Sequence, residues 1–188
     1  MKHVKKVAAL VLALVMALSL NLTVYASGAA PYVVVTIQPS DGSSSTFTMT
    51  ASAGETMQQV VNRHGTASWR EVADYYDSEL THDALISFEG KSSTPIDITN
   101  AVDQGKLQAK GYNYANITWY DSLPGYGLIS YDGTNYTYIY AGYDWTYSSN
   151  LNAEIWSYMC CYTLSADEVV QLNYGFNVSV WTSQDSLV

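Results

Sequence analysis

The stretch YTYIYAGYDWTY, residues 136–147, carries six aromatic side chains in twelve positions. On each side of Ala141-Gly142 the rings recur at every second residue. That is the period of a β-strand, whose neighbouring side chains point to opposite faces. With Ala141-Gly142 as a two-residue loop, the stretch reads as a β-hairpin. Tyr140 then faces Tyr143, Tyr138 faces Trp145 and Tyr136 faces Tyr147, so all six rings share one face. Thr137, Ile139, Asp144 and Thr146 occupy the other. A longer loop around YAGYD is the alternative, and a one-residue slip would break the pairing while keeping the alternation. Two roles for the aromatic face stand side by side. It is one wall of the core, with hydroxyls at the rim, or it is an exposed stacking surface for sugar rings, planar cofactors or a partner protein. The bias toward tyrosine, 17 residues against 3 phenylalanines, suits a surface with one wet end.

The surrounding sequence places this hairpin in a mixed fold. YVVVTIQ, residues 32–38, is short and β-branched, PSDGSS supplies turn residues, and TFTMTA alternates. Together they predict a first hairpin. Gly54 then breaks the strand, Met57, Val60 and Val61 recur at helical spacing, and Gly65 stops the helix. A second helix is expected over 68–85, capped by Ser68 with Glu71 three residues later. Trp69, Val72, Ala73 and Tyr76 would form its buried stripe. A helical turn follows at 100–109, with Ala101 and Val102 packed on Leu107. Further strands are expected at 127–131, 136–140, 143–147, 158–164, 169–174 and 177–181. The expected architecture is α+β, a mixed sheet packed on one or two helices, with an inserted helical or loop segment at about 68–112 and the aromatic hairpin near the end.

The first 26 residues combine Lys2, Lys5 and Lys6 with an apolar run from Val7 to about Leu22, and Val24-Tyr25-Ala26 offers a cleavage site. This predicts a secretory signal peptide cut after Ala26 and a secreted, extracellular product. A retained anchor is the alternative, since the run approaches spanning length. After cleavage, residues 27–31 form a short leader, 32–181 a single domain and 182–188 a tail. The mature chain keeps five basic residues against 17 acidic ones, a formal charge of −12. Such a surface repels phosphate backbones and anionic lipid, so neither nucleic acid nor stable membrane insertion is expected.

Candidate chemistry is sparse. Cys160 and Cys161 are adjacent, and on a strand they would point to opposite faces, so two free thiols are favoured over a vicinal disulfide. His64 sits at a helix end, where its ring can satisfy carbonyls. Pairing of His64 or His82 with either cysteine is allowed by the sequence but marked by no motif. Asp77, Glu79, His82 and Asp83 are the nearest approach to a zinc cluster, better explained as a solvated face. SDGSSS and YDGTN resemble fragments of calcium loops without the alternating acidic ligands, and read as turns. Neither a catalytic constellation nor a metal site is expected.

The order of elements also carries a resemblance. Ala53-Gly54-Glu55-Thr56 opens the first helix, Ile129-Ser130-Tyr131-Asp132-Gly133 ends a strand in a turn, and Trp145-Thr146-Tyr147 forms an aromatic segment. Tyr162-Thr163-Leu164 then leads through Asp167 into a closing strand from Val169 to Tyr174. In these features the chain resembles the β-grasp domains of exported bacterial proteins related to the cobalamin-capping C-terminal domain of transcobalamin and intrinsic factor. The resemblance implies a β-grasp fold, structural roles for Trp145 and Tyr147, and a corrinoid-capping or partner-binding role. Cobalamin is implied only in this way, and no other cofactor is expected. The expectation is therefore a non-catalytic, exported module that binds an unknown ligand or cell-surface protein through Tyr136, Tyr138, Tyr140, Tyr143, Trp145 and Tyr147. A corrinoid-capping carrier domain is the alternative, and a cysteine-dependent enzyme the third reading.

Overall fold

The computed structural model describes residues 28–73, 79–152 and 158–188. The expected signal peptide lies outside the described residues, as do Asp74, Tyr76 and Asp77. The β-branched run at the start extends as β1 (Tyr32–Ile37), turns at Gly42 with a positive φ, and returns antiparallel as β2 (Ser45–Thr50). Val33, Val35 and Met49 point inward and are buried. Helix α1 (Met57–His64) follows as expected. Its capping box is complete: Gln59 N donates to Thr56 Oγ1 at 3.2 Å, and Thr56 N donates to Gln59 Oε1 at 2.9 Å. Met57, Val60 and Val61 form its buried face.

The helix expected over 68–85 is not formed. β3 (Ala67–Ala73) and β4 (Thr81–Phe88) pair antiparallel instead, and β5 (Lys91–Ser92) adds a third strand. The Ser68/Glu71 capping signal is worth about 1 kcal/mol, whereas extended pairing lets Phe88 bury completely and Leu85 and Trp69 pack on the core. Tertiary burial decides the conformation. Glu79, His82 and Asp83 therefore belong to a hairpin end rather than to a polar helix face.

After β6 (Thr94–Pro95), helix α2 (Ala101–Ala109) starts at the Asn100 cap, whose side chain accepts from Val102 N at 2.8 Å. Leu107 is buried, but Val102 faces solvent and Asp103 takes the inner position, which corrects the expected packing of Val102. A 3-10 turn (Tyr114–Asn116) leads to β7 (Thr118–Trp119), β8 (Tyr126–Tyr131), β9 (Tyr136–Ser149) and β10 (Val169–Ser183).

The aromatic stretch is thus no hairpin. β9 runs unbroken through Ala141-Gly142 for 14 residues and pairs with β10 in one register from Ser149↔Val170 to Tyr136↔Ser183. A partner of matching length satisfies the whole ladder on that edge, which a turn at Gly142 would forfeit. Gly142 is needed for another reason: a Cβ there would lie 2.6 Å from the Thr94 carbonyl oxygen and 3.2 Å from Pro95 Cα. The missing side chain admits β6, which pairs with β9 at Tyr143 and Gly142.

Among the described residues the large sheet runs β2-β1-β10-β9-β8-β7, with β6 also on β9. β1 and β10 are parallel, so the first and last strands lie side by side at its centre. One face is covered along its length. Toward one end α1 and the β3–β4 pair bury Val33, Val35, Leu172, Tyr143 and Trp145, and toward the other Leu107 of α2 covers Ile139 and Ala141.

Candidate functional site

Because β9 is continuous, its aromatic residues divide between two faces. Tyr143, Trp145 and Tyr147 point into the first core with Ile139 and Ala141 further along, while Tyr136, Tyr138 and Tyr140 point to the other side. The expectation of six rings on one face is corrected accordingly. Tyr143 is buried and its hydroxyl donates to Asp103 Oδ1 at 2.8 Å. Trp145 is buried with Nε1 donating to the Lys91 carbonyl at 3.0 Å, and Tyr147 meets Tyr162 edge to face. On the opposite face Tyr138 is fully buried, beneath Tyr120 and Trp181, with its hydroxyl held by Leu187 N and the Asp185 carbonyl. Tyr136 stacks on Tyr131 at 4.3 Å between centroids. Of the six, Tyr136, Tyr140 and Tyr147 remain partly accessible.

Tyr140 and Trp145 help line a cleft of about 390 Å³ between the β3–β4 hairpin and β9. Tyr126 of β8 lies against Tyr140 at 4.8 Å, and Pro95 and Pro124 add apolar walls. Asp144 supplies a carboxylate, Ser93 a hydroxyl and the exposed Arg70 a cation at the same cleft. The Tyr140 and Ser93 hydroxyls both donate to Asp144. Burial pushes the Asp144 carboxyl above the usual carboxylate range, and those two donors only partly oppose it. Burial likewise raises the Tyr140 phenol well above the ordinary tyrosine range, with the neighbouring Asp144 charge adding to the effect. The result is an aromatic-walled recess with a few convergent polar groups, the usual construction of a small-ligand site. The sequence marked Tyr140 and Trp145 here but gave no sign of Arg70, Ser93 or Tyr126, which reach the cleft only through the unforeseen β3–β4 pair and the β8–β9 pairing.

A second constellation sits at the start of α1. Cys160 and Cys161 occupy a turn, closed by Cys161 N and Tyr162 N donating to the Tyr158 carbonyl at 2.9 Å each, not the strand expected over 158–164. The turn brings both sulfurs to one side, 3.3 Å apart, where a strand would have separated them. Cys160 is half-buried and Cys161 exposed, and the two are not joined in a disulfide. His82 on β4 approaches from across the molecule, with Nδ1 3.3 Å from Cys161 Sγ and 3.7 Å from Cys160 Sγ. Its ring stacks on Tyr158 at 4.5 Å. Sequence allowed this pairing and carried no motif for it.

The remaining candidates are committed locally. His64 Nδ1 donates to the Val60 carbonyl at 2.9 Å, and Nε2 meets Thr50 Oγ1 at 3.3 Å, so its ring closes the helix end. Asp41 accepts from the amide and hydroxyl of Ser43, and Asp132 from the amides of Thr134 and Asn135. These bonds hold both carboxyls below the usual range and use them within their own turns. Among the described residues no helix is long and apolar enough to cross a membrane. No family model matches the chain, and a search of the curated proteins finds no match to it.

Proposed function

We propose that this chain is an exported, non-catalytic binding module of β-grasp type, and that it takes a small ring-bearing polar ligand in the cleft between the β3–β4 hairpin and β9. The observation that carries the reading is the convergence of Tyr126, Tyr140, Asp144 and Arg70 on one recess of about 390 Å³. Tyr126 and Tyr140 offer faces for stacking, Asp144 accepts hydrogen bonds, and Arg70 donates at the mouth. A ring carrying hydroxyl groups, as in a sugar, matches that combination. Support for the β-grasp assignment comes from the connectivity: an opening hairpin, a helix, and a last strand parallel to the first. The half-buried carboxylate also fits a role beyond stability, because the fold keeps it against a desolvation cost.

Trp145, which helps line the cleft, provides the readout. Soluble cello- and chito-oligosaccharides and cobalamin are titrated separately against the wild type, Tyr140→Ala and Asp144→Asn, following tryptophan emission. The expected result is saturable quenching by an oligosaccharide that falls at least about tenfold in affinity in both variants. Saturation by cobalamin alone transfers the site to the corrinoid-capping alternative. No response to any of these probes removes the proposal.

A further inference from the structure

We propose that His82 Nδ1, Cys160 Sγ and Cys161 Sγ form a three-ligand site for a thiophilic d10 metal ion, zinc(II) or copper(I). The three atoms lie within 4.8 Å of one another. Zinc bonds of about 2.3 Å to sulfur and 2.0–2.1 Å to nitrogen, at tetrahedral angles, separate two sulfurs by about 3.8 Å and a sulfur from a nitrogen by about 3.6 Å. The measured separations are 3.3 Å between the sulfurs, and 3.3 and 3.7 Å from the nitrogen to each. Every pair is within about half an ångström of the required geometry. On binding, the imidazole contributes a neutral lone pair and the two thiols release their protons to solvent, so a divalent ion ends with no net charge and copper(I) with one net negative charge. Three protein ligands leave the fourth tetrahedral position to water or a solute, on the side where Cys161 is exposed.

The scaffold holds both halves of the site on one residue. Gln58, in the first turn of α1, donates its backbone amide to the Met159 carbonyl at 3.1 Å and its side-chain amide to Asp83 Oδ2 at 2.7 Å. The first bond fixes the cysteine turn and the second fixes the strand position next to His82. Met57 N adds a bond to the Tyr162 carbonyl at 3.0 Å, Met159 is buried beneath, and stacking on Tyr158 sets the imidazole plane. Ligands held this way lose little freedom on binding. A disulfide between the cysteines is the competing use of the same atoms. Adjacent Cα atoms are about 3.8 Å apart across a trans peptide, below the 4.4–6.8 Å usual for a disulfide. Accepting a metal needs movements of tenths of an ångström, whereas the disulfide needs a rebuilt turn.

The test uses the full chain, purified under reducing conditions and stripped of metal. Cobalt(II) is added as a spectroscopic stand-in, then zinc(II) is titrated against a chromogenic chelator and copper(I) against bicinchoninate. The expected result is a thiolate-to-cobalt charge-transfer band at one ion per chain, displaced by zinc or copper. Affinity should fall about a hundredfold in Cys161→Ser and Cys160→Ser and about tenfold in Gln58→Ala. The two competition arms decide which ion binds more tightly. Cys161 is exposed, so Cys161→Ser keeps its fold by circular dichroism even if His82→Ala does not. Absence of the charge-transfer band, or equal affinity in wild type and both serine variants, overturns the proposal.

Discussion

The hydroxyl of Tyr143 donates to the buried carboxylate of Asp103 at 2.8 Å and accepts from Lys106 Nζ at 2.8 Å. Through this one oxygen, α2 is fastened to the middle of β9. The Asp103 carboxylate also accepts from Asp97 N at 3.1 Å, which fixes the approach to the helix. Tyr143→Phe keeps the ring in the core and removes the oxygen, leaving Asp103 with one donor fewer and Lys106 without its acceptor there. We expect a loss of about 1.5–3 kcal/mol, the range for hydrogen bonds to charged groups. Urea unfolding checks it, and an unchanged midpoint would mean that α2 is held by Leu107 alone.

Gly142 leads to a second expectation. The Cβ of Gly142→Ala would meet backbone atoms of Thr94 and Pro95, and backbone yields less readily than the end of a side chain. β6 must then withdraw from β9, weakening the bond from Ile96 N to the Ala141 carbonyl at 2.9 Å. The variant should lose about 1–3 kcal/mol, and the Ile96 amide should exchange with solvent faster than in the wild type. A variant of wild-type stability with a protected Ile96 amide would show that β6 does not need the glycine.

Glu168 is 1% exposed and gathers three donors. Ser149 Oγ donates at 2.5 Å, Ser165 N at 2.8 Å, and the Tyr162 hydroxyl completes the set. The carboxylate thus ties the end of β9, the residue after the cysteine pair and the entry to β10 into one knot. Glu168→Ala strands all three donors and should cost on the order of 3 kcal/mol. Glu168→Gln retains an acceptor and should cost less. Thermal unfolding of the two variants provides the comparison, and equal losses would mean that the side-chain volume matters rather than the acceptor.

How far the sequence discloses this molecule depends on how local the deciding interaction is. The β1–β2 hairpin and α1 follow from turn residues, apolar spacing and the Thr56/Gln59 box, all within a few positions of one another. The stretch 136–147 misleads because Ala-Gly between alternating aromatics satisfies a local rule for hairpins. Its actual conformation is set by β10, more than 20 residues on, and by β6, which needs space at Gly142. The same distance effect hides the two sites. Tyr140 and Trp145 were visible as aromatic residues, but Arg70 reaches the cleft only because 67–73 pairs as a strand. His82 meets the cysteines across 78 and 79 residues, a juxtaposition that no spacing in the chain encodes.

Alkaline titration probes the buried tyrosines. Burial is the main reason that the Tyr140 and Tyr143 phenols are raised, aided by Asp144 and Asp103 respectively. A raised phenol in the fold binds its proton more tightly than in the unfolded chain. Its contribution to stability is therefore complete below about pH 10, the unfolded value, and is lost as pH climbs above it. Tyrosinate absorbance should rise in two stages: a gradual one while the fold is intact, and a steep one, carrying Tyr140 and Tyr143, coincident with loss of the circular dichroism signal. A single smooth curve with the fold intact would show that the buried phenols ionise in place.

The Asp144 carboxyl carries the opposite kind of information, since its perturbation bears on the cleft. Desolvation raises it despite the hydroxyls of Ser93 and Tyr140, so the folded protein holds that proton to higher pH than the unfolded chain does. The associated stability is fully present below the unfolded value of about 3.9 and is lost as pH rises through the folded one. Asp144→Asn keeps the shape and removes the titration. It should match the wild type near the acid end and exceed it toward pH 7, with a flatter profile of urea midpoint against pH. If Asp144 is also the acceptor for a bound ring, the same variant that gains stability at pH 7 should lose ligand affinity. A carboxylate kept at a cost to the fold and needed by the ligand predicts both changes together. Parallel profiles for variant and wild type would mean that the carboxylate is well solvated, and the cleft would then lack its directing acceptor.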